Sequence, residues 1–525
     1  MGASSFSLAE AMYVAGDVVL QSVRAASVRV RSYQENVASV KLPKFTHFVD
    51  PAAASGGPSN ASGLARGGKQ VAACRAAHVK AIEDIWCHVH SLMPLQYAAQ
   101  SACVFHTFLR SWRCHPYLNF TDETLFSKQN ASRKGYMARH FTMRVDKILE
   151  NHSGIGVKAL NLTFPDYCKV DAGHLNRWLQ IAITPGIEEV ILFLPTNYKK
   201  QYSFPCSLLF GACGNSVRHI RLTKCAFRPP VGFDCLKSLT ELYLYDVCIT
   251  GDELGSLTSN CFALEQLELA NCGELIFLEI PLSLERLSFL RVSECHMLQV
   301  IESKAPNLLN FEFVGELVHF YAITKLPSAV PNLETIEVTS FGEMVNTPMV
   351  ADKFLNLKYL HIHLTDACEV STPAYDYLSL VSFLDASPAL ETFILSVDQE
   401  VMKHDSVFGD ASHVRQIPGH KHSRLRKVHI IGFCSAKSMV ELTCHILENA
   451  TSLESLIIDT INDPLMDGDG NRSCATYSEC WPIGRDMILE GHKALKIVNM
   501  YIVGRAPPAL RLDVKGPCSR CHAID

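Results

Sequence analysis

The chain has 525 residues, 48% of them hydrophobic and 19% charged, with a formal net charge of -5 and a pI near 6.5. That length allows two to four ordinary domains or one long repeat array, and the slight acidity excludes a basic field for phosphate backbones, so no nucleic-acid partner is expected. No uninterrupted apolar run approaches the roughly 18 residues of a membrane-spanning helix, and no membrane contact is expected.

The opening MGASSFSLAEAMYVAGDVVL lacks the basic start and compact apolar core of a secretory leader. Twenty cysteines are spread through the chain without paired spacing. They read as small buried apolar residues of a reducing compartment, cytoplasmic and/or nuclear, and not as a disulfide scaffold. Residues 1–78 are rich in Gly, Ala and Ser, most clearly from Pro51 to Gly68 (PAAASGGPSNASGLARGG). A disordered segment is expected there.

Residues 79–120 carry three helical signals and a turn. Glu83 and Asp84 sit where carboxylates favour a helix N-terminus. Ile85, Val89 and Leu92 then fall on one helical stripe, and Pro94, in Met93-Pro94-Leu95, breaks that helix and starts the next. Ala98 to Val104 continues the pattern, followed by Phe108, Leu109 and Trp112. So small a unit is marginal alone, and its surplus apolar face calls for a partner. These residues resemble an F-box, with Ala81-Ile82 where that family usually has Leu-Pro. The resemblance implies that Ile82, Ile85, Val89, Leu92, Pro94, Leu95, Val104, Phe108, Leu109 and Trp112 dock a Skp-type adaptor and, through it, a cullin. Residues 121–150 read as a helical connector and cap.

From Val157 onward one frame recurs: apolar, two variable residues, apolar, one variable, apolar. It runs through Val157/Leu160/Leu162, Ile187/Val190/Leu192, Val217/Ile220/Leu222, Leu239/Leu242/Leu244, Leu264/Leu267/Leu269 and Leu287/Leu290/Val292. It continues as Leu308/Phe311/Phe313, Leu333/Ile336/Val338, Leu357/Leu360/Ile362, Leu390/Phe393/Leu395, Leu425/Val428/Ile430 and Leu453/Leu456/Ile458. This is a leucine-rich-repeat signature. Steps between Val217 and Leu357 lie between 21 and 25 residues, and the next two exceed 30. Cys225, Cys272 and Cys295 follow three residues behind the last apolar position, where the repeat needs a side chain to satisfy turn backbone. Helical fillers such as Leu175/Trp178/Leu179/Ala182 and Met439/Leu442/Ile446 suggest that strand and helix alternate.

The expected architecture is therefore α/β: a leucine-rich-repeat solenoid over 151–514, a curved parallel sheet with convex helices and loops, preceded by the three-helix unit and followed by a tail, 515–525. In the frame, the residues between the buried positions line the concave face. Tyr243, Tyr245, Glu268, Arg291, Tyr359, His361 and His363 are the candidate contacts with an unknown protein target, since Tyr and Arg are enriched at energetic centres of interfaces.

Other chemistry finds little support. Cys518-Ser-Arg-Cys521-His522 has the spacing of c-type haem attachment, but lies in a polar tail with too few local ligands for zinc. Asp467-Gly-Asp469-Gly-Asn471 begins like a calcium loop but lacks the Gly and Glu that such a loop requires. The pairs His88/His90, His361/His363 and His420/His422 share i, i+2 spacing without pointing to a metal. Neither a phosphate-cradling loop nor a nucleophile elbow is present. No cofactor, metal or catalysis is expected.

Taken whole, the order F-box, then irregular repeats, is similar to a plant F-box/leucine-rich-repeat family. The resemblance implies a non-catalytic substrate-recognition subunit of a Skp-cullin-F-box ubiquitin ligase. The alternative is a non-ubiquitylating interaction or sensing scaffold with a degenerate F-box.

Overall fold

The computed structural model describes residues 86–104, 106–126, 134–196, 202–316, 332–341, 353–365, 374–399, 404–408, 415–417, 420–462, 483–519 and 521–522. Contacts divide the chain into two compact units between Val190 and Ile191. The segment 1–78, residues 79–85 with Ile82 and Ile85, and the calcium-like stretch from Asp467 lie outside the described residues.

In the first unit the helical residues 86–91 end before Leu92, where the Leu92 and Met93 amides donate to Val89 O (3.2 Å) and His90 O (3.0 Å). Pro94 opens the helix Leu95–Val104, its carbonyl accepting from the Tyr97 and Ala98 amides, and His106–Arg113 follows. The expected stripe does not form as read. Leu92 lies past the helix end and is 41% exposed, whereas Leu95 turns inward and is 7% exposed. Val89, Leu109 and Trp112 are half-buried; the side chains of Val104 and Phe108 fall outside the description.

A polar stitch holds these helices. His90 Nδ1 meets Ser111 Oγ at 2.6 Å and its Nε2 meets Ser101 Oγ at 3.0 Å. His115 Nε2 reaches Met93 O at 3.0 Å, and His152 Nε2 reaches His115 O at 3.0 Å. Burial lowers the pKa of all three histidines, that of His90 to about 4. They are neutral, so each ring supplies one donor and one acceptor to the stitch.

The first parallel strand is Tyr117–Phe120, paired in register with Ala159–Thr163. Sheet structure thus begins ahead of residue 151, the expected start of the solenoid, and inside the expected three-helix unit. Between the two strands the helix Lys134–Asn151 buries Phe141, Val145 and Leu149, one residue per turn. Phe141, Phe164 and Trp178 then stack in sequence, and Trp178 Nε1 donates to Asp146 Oδ1 at 2.6 Å. Trp178 belongs to the helix Ala172–Ala182, whose expected filler residues are all buried and whose first turn is capped by Asp171.

The second unit is built on a large parallel sheet. The strands His219–Thr223, Glu241–Tyr245, Gln266–Ala270, Phe289–Ser293, Asn310–Glu316, Thr335–Phe341, Tyr359–Thr365, Thr392–Val397, Lys427–Ile431, Ser455–Asp459 and Arg511–Lys515 lie in chain order, each parallel to the next. Every frame from Val217 to Ile458 falls on one of them, and its apolar positions are buried except Phe313 and Leu453, which are half-buried.

At the exit of four successive strands a non-glycine residue takes left-handed backbone: Lys224, Asp246, Asn271 and Glu294, with φ between 51° and 54°. Each donates its amide to the end of the next strand, for instance Asn271 to Ser293 O at 2.8 Å. The turn this creates brings the following side chain inward, and Cys272 and Cys295 hydrogen-bond backbone carbonyls there at 3.5 to 3.9 Å.

Helices do not follow every strand. Two of the short repeats return in extended form, and their segments Phe277–Ile280 and Val300–Ser303 pair in a second small sheet. Helices occupy the longer returns, as Val381–Ala386 and Lys437–Asn449. A strand covers a given distance with fewer residues than a helix, which is why the shortest steps have no room for one. Among the described residues no helix is long and apolar enough to cross a membrane.

Candidate functional site

Strand register decides which of the candidate residues share a surface. Inward positions alternate with outward ones, and the pairing aligns Arg221, Tyr243, Glu268, Arg291, Glu312, Glu337, His361, Ile394, His429, Ile457 and Asp513 in one transverse row. Tyr245 and His363 stand in the row on one side, and Tyr359 in the row on the other. All seven candidate contacts therefore lie within three adjacent rows on one face of the sheet.

The row changes character along its length. Its first half carries charge: Arg221 Nη2 lies 3.3 Å from Glu241 Oε2, and Arg291 Nε lies 3.4 Å from Glu312 Oε2. Burial pushes the Glu337 carboxyl up, with help from Glu312, while Arg291 opposes. Burial also raises the Tyr243 and Tyr359 phenols, with Glu268 acting on Tyr243 and Glu337 on Tyr359. Tyr245 is 37% exposed.

From His361 to Ile457 the row carries histidine rings and apolar side chains. Burial, assisted by His363 and His429, lowers His361 to about 4. Burial with Lys515 lowers His429 to about 4, and burial lowers His363 against the pull of Asp398. His361 Nε2 meets Ser396 Oγ at 3.0 Å. In contrast, His363 Nε2 and His429 Nε2 are buried with no hydrogen-bond partner in the protein. Such groups are costly to leave unpaired. Ile394 and Ile457 were not anticipated here, because an apolar residue between two buried apolar positions reads as more core.

The tail motif closes on itself: the Cys518 amide donates to His522 Nδ1 at 3.4 Å and the His522 amide to Cys518 O at 2.9 Å.

Comparison with known proteins assigns the two ends of the chain differently. Residues 148–519 match the family described as At1g61320/AtMIF1, LRR domain. Residues 1–90 match the family of the ATP synthase D subunit. In that segment the chain is 54% identical over 87 residues to the V-type proton ATPase D subunit of Arabidopsis thaliana, covering 16% of this chain and 32% of that protein. The corresponding protein of Drosophila melanogaster is 38% identical over 86 residues, 16% of this chain and 33% of its own length. That of Saccharomyces cerevisiae is 36% identical over 89 residues, 16% and 34%. The chain spans about a third of the length of these curated relatives.

These matches overturn the ubiquitin-ligase expectation. Residues 82–90 of the F-box-like stretch fall within the segment that matches the ATPase, and no F-box match accompanies it. The docking roles that rested on the resemblance, from Ile82 to Trp112, lose their support.

Proposed function

The chain belongs to the At1g61320/AtMIF1 leucine-rich-repeat family, and on that premise we propose that its second unit is a protein-binding module whose concave row is the contact surface. The register-aligned row carries this reading: Tyr243, Glu268 and Arg291 occupy equivalent positions on successive parallel strands, and His361 continues the row three strands further on. Aromatic and guanidinium groups in its first half suit an interface. The charged first half suits a partner of mixed charge. The second half, with Ile394 and Ile457 beside neutral histidine rings, suits an apolar surface. The module binds and adds no chemistry of its own.

The test places a photo-cross-linking residue at Tyr243 or Tyr359 of the full chain in plant-cell extract, with Leu282, 63% exposed and outside the row, as the comparison. One protein cross-linked from both row positions and not from Leu282 supports the proposal. Equal labelling from all three sites contradicts it.

A second reading rests on residues 1–90 alone. Their 54% identity to one component of a V-type proton ATPase favours a segment that joins the solenoid to such an ATPase, since two thirds of that component is not matched and its replacement as a whole is not implied. Co-purification of the full chain with the ATPase, abolished on deleting residues 1–85, is the expected result; unchanged recovery would dismiss it.

A further inference from the structure

In the returns between strands of the second unit, three side chains far apart in sequence converge. Asp385 lies in the helix Val381–Ala386, His445 in the helix Lys437–Asn449, and His422 in the connection between them, its amide donating to Asn449 O at 3.0 Å. One ligand atom from each lies within 4.8 Å of the other two. His422 Nε2 is 3.6 Å from Asp385 Oδ1. Metal bonds of about 2.0 to 2.1 Å at tetrahedral angles hold neighbouring ligand atoms about 3.3 Å apart, so this pair is already near that spacing.

In each of the three residues one polar side-chain atom, Asp385 Oδ1, His422 Nε2 and His445 Nε2, is buried with no hydrogen-bond partner in the protein. His422 and His445 are 7% and 5% exposed. A fold that buries three polar atoms toward one point without pairing them leaves a large penalty unmet. One cation would satisfy all three at once.

The surroundings suit ligation. The Ile417 carbonyl hydrogen-bonds the His445 ring, and since Nε2 has no partner, that bond falls on Nδ1, which also lies 3.4 Å from Asn449 Nδ2. A ligating histidine characteristically donates its other N–H to a carbonyl in this way. His420 Nδ1 is 3.5 Å from Asp385 Oδ2 on a ring that is 79% exposed, placing a fourth donor at the rim.

We propose that Asp385, His422 and His445 form a binding site for a divalent transition cation of the zinc class, with His420 or a water molecule completing four-coordination. The nitrogen-rich donor set favours such a cation over calcium or magnesium, which take oxygen. The three ligands come from the segments leading to or leaving three consecutive strands, so the ion clips together neighbouring repeats whose long returns bury their helices against one another. The pair His420/His422 alone gave no such indication, because two ligands two residues apart do not make a site; repeat stacking supplies the other two groups.

The test uses the full-length chain, purified, stripped with a chelator and dialysed. Zn2+ and Co2+ are titrated by calorimetry and visible absorption, with the thermal midpoint recorded at each step. Asp385→Asn and His445→Gln keep side-chain shape and are checked by circular dichroism; His420→Ala probes the rim. The proposal expects one equivalent bound, the intense visible band of four-coordinate Co2+, a higher midpoint with metal, and affinity reduced about tenfold or more in both ligand variants. A folded wild-type chain that takes up no metal, or variants that bind as well as wild type, would overturn it. If a variant does not fold, uptake and the Co2+ spectrum of wild type decide alone.

Discussion

Arg291 Nε lies 3.4 Å from Glu312 Oε2 on the neighbouring strand, whereas Glu337, the next residue in the same row, has its carboxyl pushed up by burial and by Glu312. One arginine thus serves two carboxylates, and the second is short of positive charge.

Replacing Glu337 by Gln relieves that shortage. The folded pKa is raised, so ionising Glu337 weakens the fold as pH rises from the unfolded value through the folded one. Glu337→Gln should match or exceed wild-type stability at pH 7 and lose its advantage near pH 4. Urea midpoints at the two pH values read this directly.

A buried carboxylate elsewhere predicts the opposite. The Glu441 side chain is 0% exposed and accepts from the Arg415 amide (2.7 Å) and Nε (2.8 Å), while the Arg415 guanidinium also grips both oxygens of Asp376 at 2.8 and 3.0 Å. Arg415→Ala strands that carboxylate and should cost about 3 kcal/mol, toward the lower end for breaking a buried pair because Arg415 is half exposed. The double change Arg415→Met, Glu441→Leu should recover much of the loss in urea denaturation.

His404 and Glu490 form a partly buried pair at 3.2 Å, with the Ser435 amide also donating to Glu490 Oε1 at 2.7 Å. Burial opposes both charges, yet hydrogen bonds that the histidine donates to Cys434 and Glu490, and that Glu490 accepts from His404 and Ser435, hold His404 up to about 10 and Glu490 down to about 2. The contribution of Glu490 is complete above its unfolded value near 4.5 and is lost as pH falls toward 2. That of His404 is complete below 6.5 and is lost as pH rises toward 10. Wild type should therefore exceed Glu490→Gln by most between about pH 4.5 and 6.5, as measured by thermal midpoints across pH.

Strand-exit turns make a contrasting pair. Gly432 occupies the same left-handed position as Asn271, with φ of 72°, but a Cβ there would sit 2.1 Å from Val397 O. Gly432→Ala should cost at least about 1 to 3 kcal/mol. Asn271→Gly, where a side chain is already accommodated, should change stability by less than about 1 kcal/mol. Equal effects in chemical denaturation would contradict this account of the turns.

Sequence pattern revealed the repeats because each frame places three apolar side chains at fixed spacing, and stacking needs those positions buried. The strand Tyr117–Phe120 escaped because His115 stands in the first frame position, ahead of Leu118 and Phe120. It is buried like its apolar counterparts, with its ring nitrogen on Met93 O. The concave row was legible for the same geometric reason, while the neutral state of His361 and His429 depends on neighbours from other strands. Asp385 and His445 come to His422 only through stacking of separate repeats. The F-box reading failed differently: helix-compatible residues with a proline turn fit many small helical units, and apolar spacing alone does not say whether Leu95 faces a partner or its own core.

The most direct test of the concave face as a binding surface is the affinity of the full chain for the protein captured at Tyr243. Tyr243→Ala and Arg291→Ala should each weaken binding about tenfold or more and leave the urea midpoint within about 1 kcal/mol of wild type, while Leu282→Ala leaves affinity unchanged. Wild-type affinity in both row variants would contradict the account.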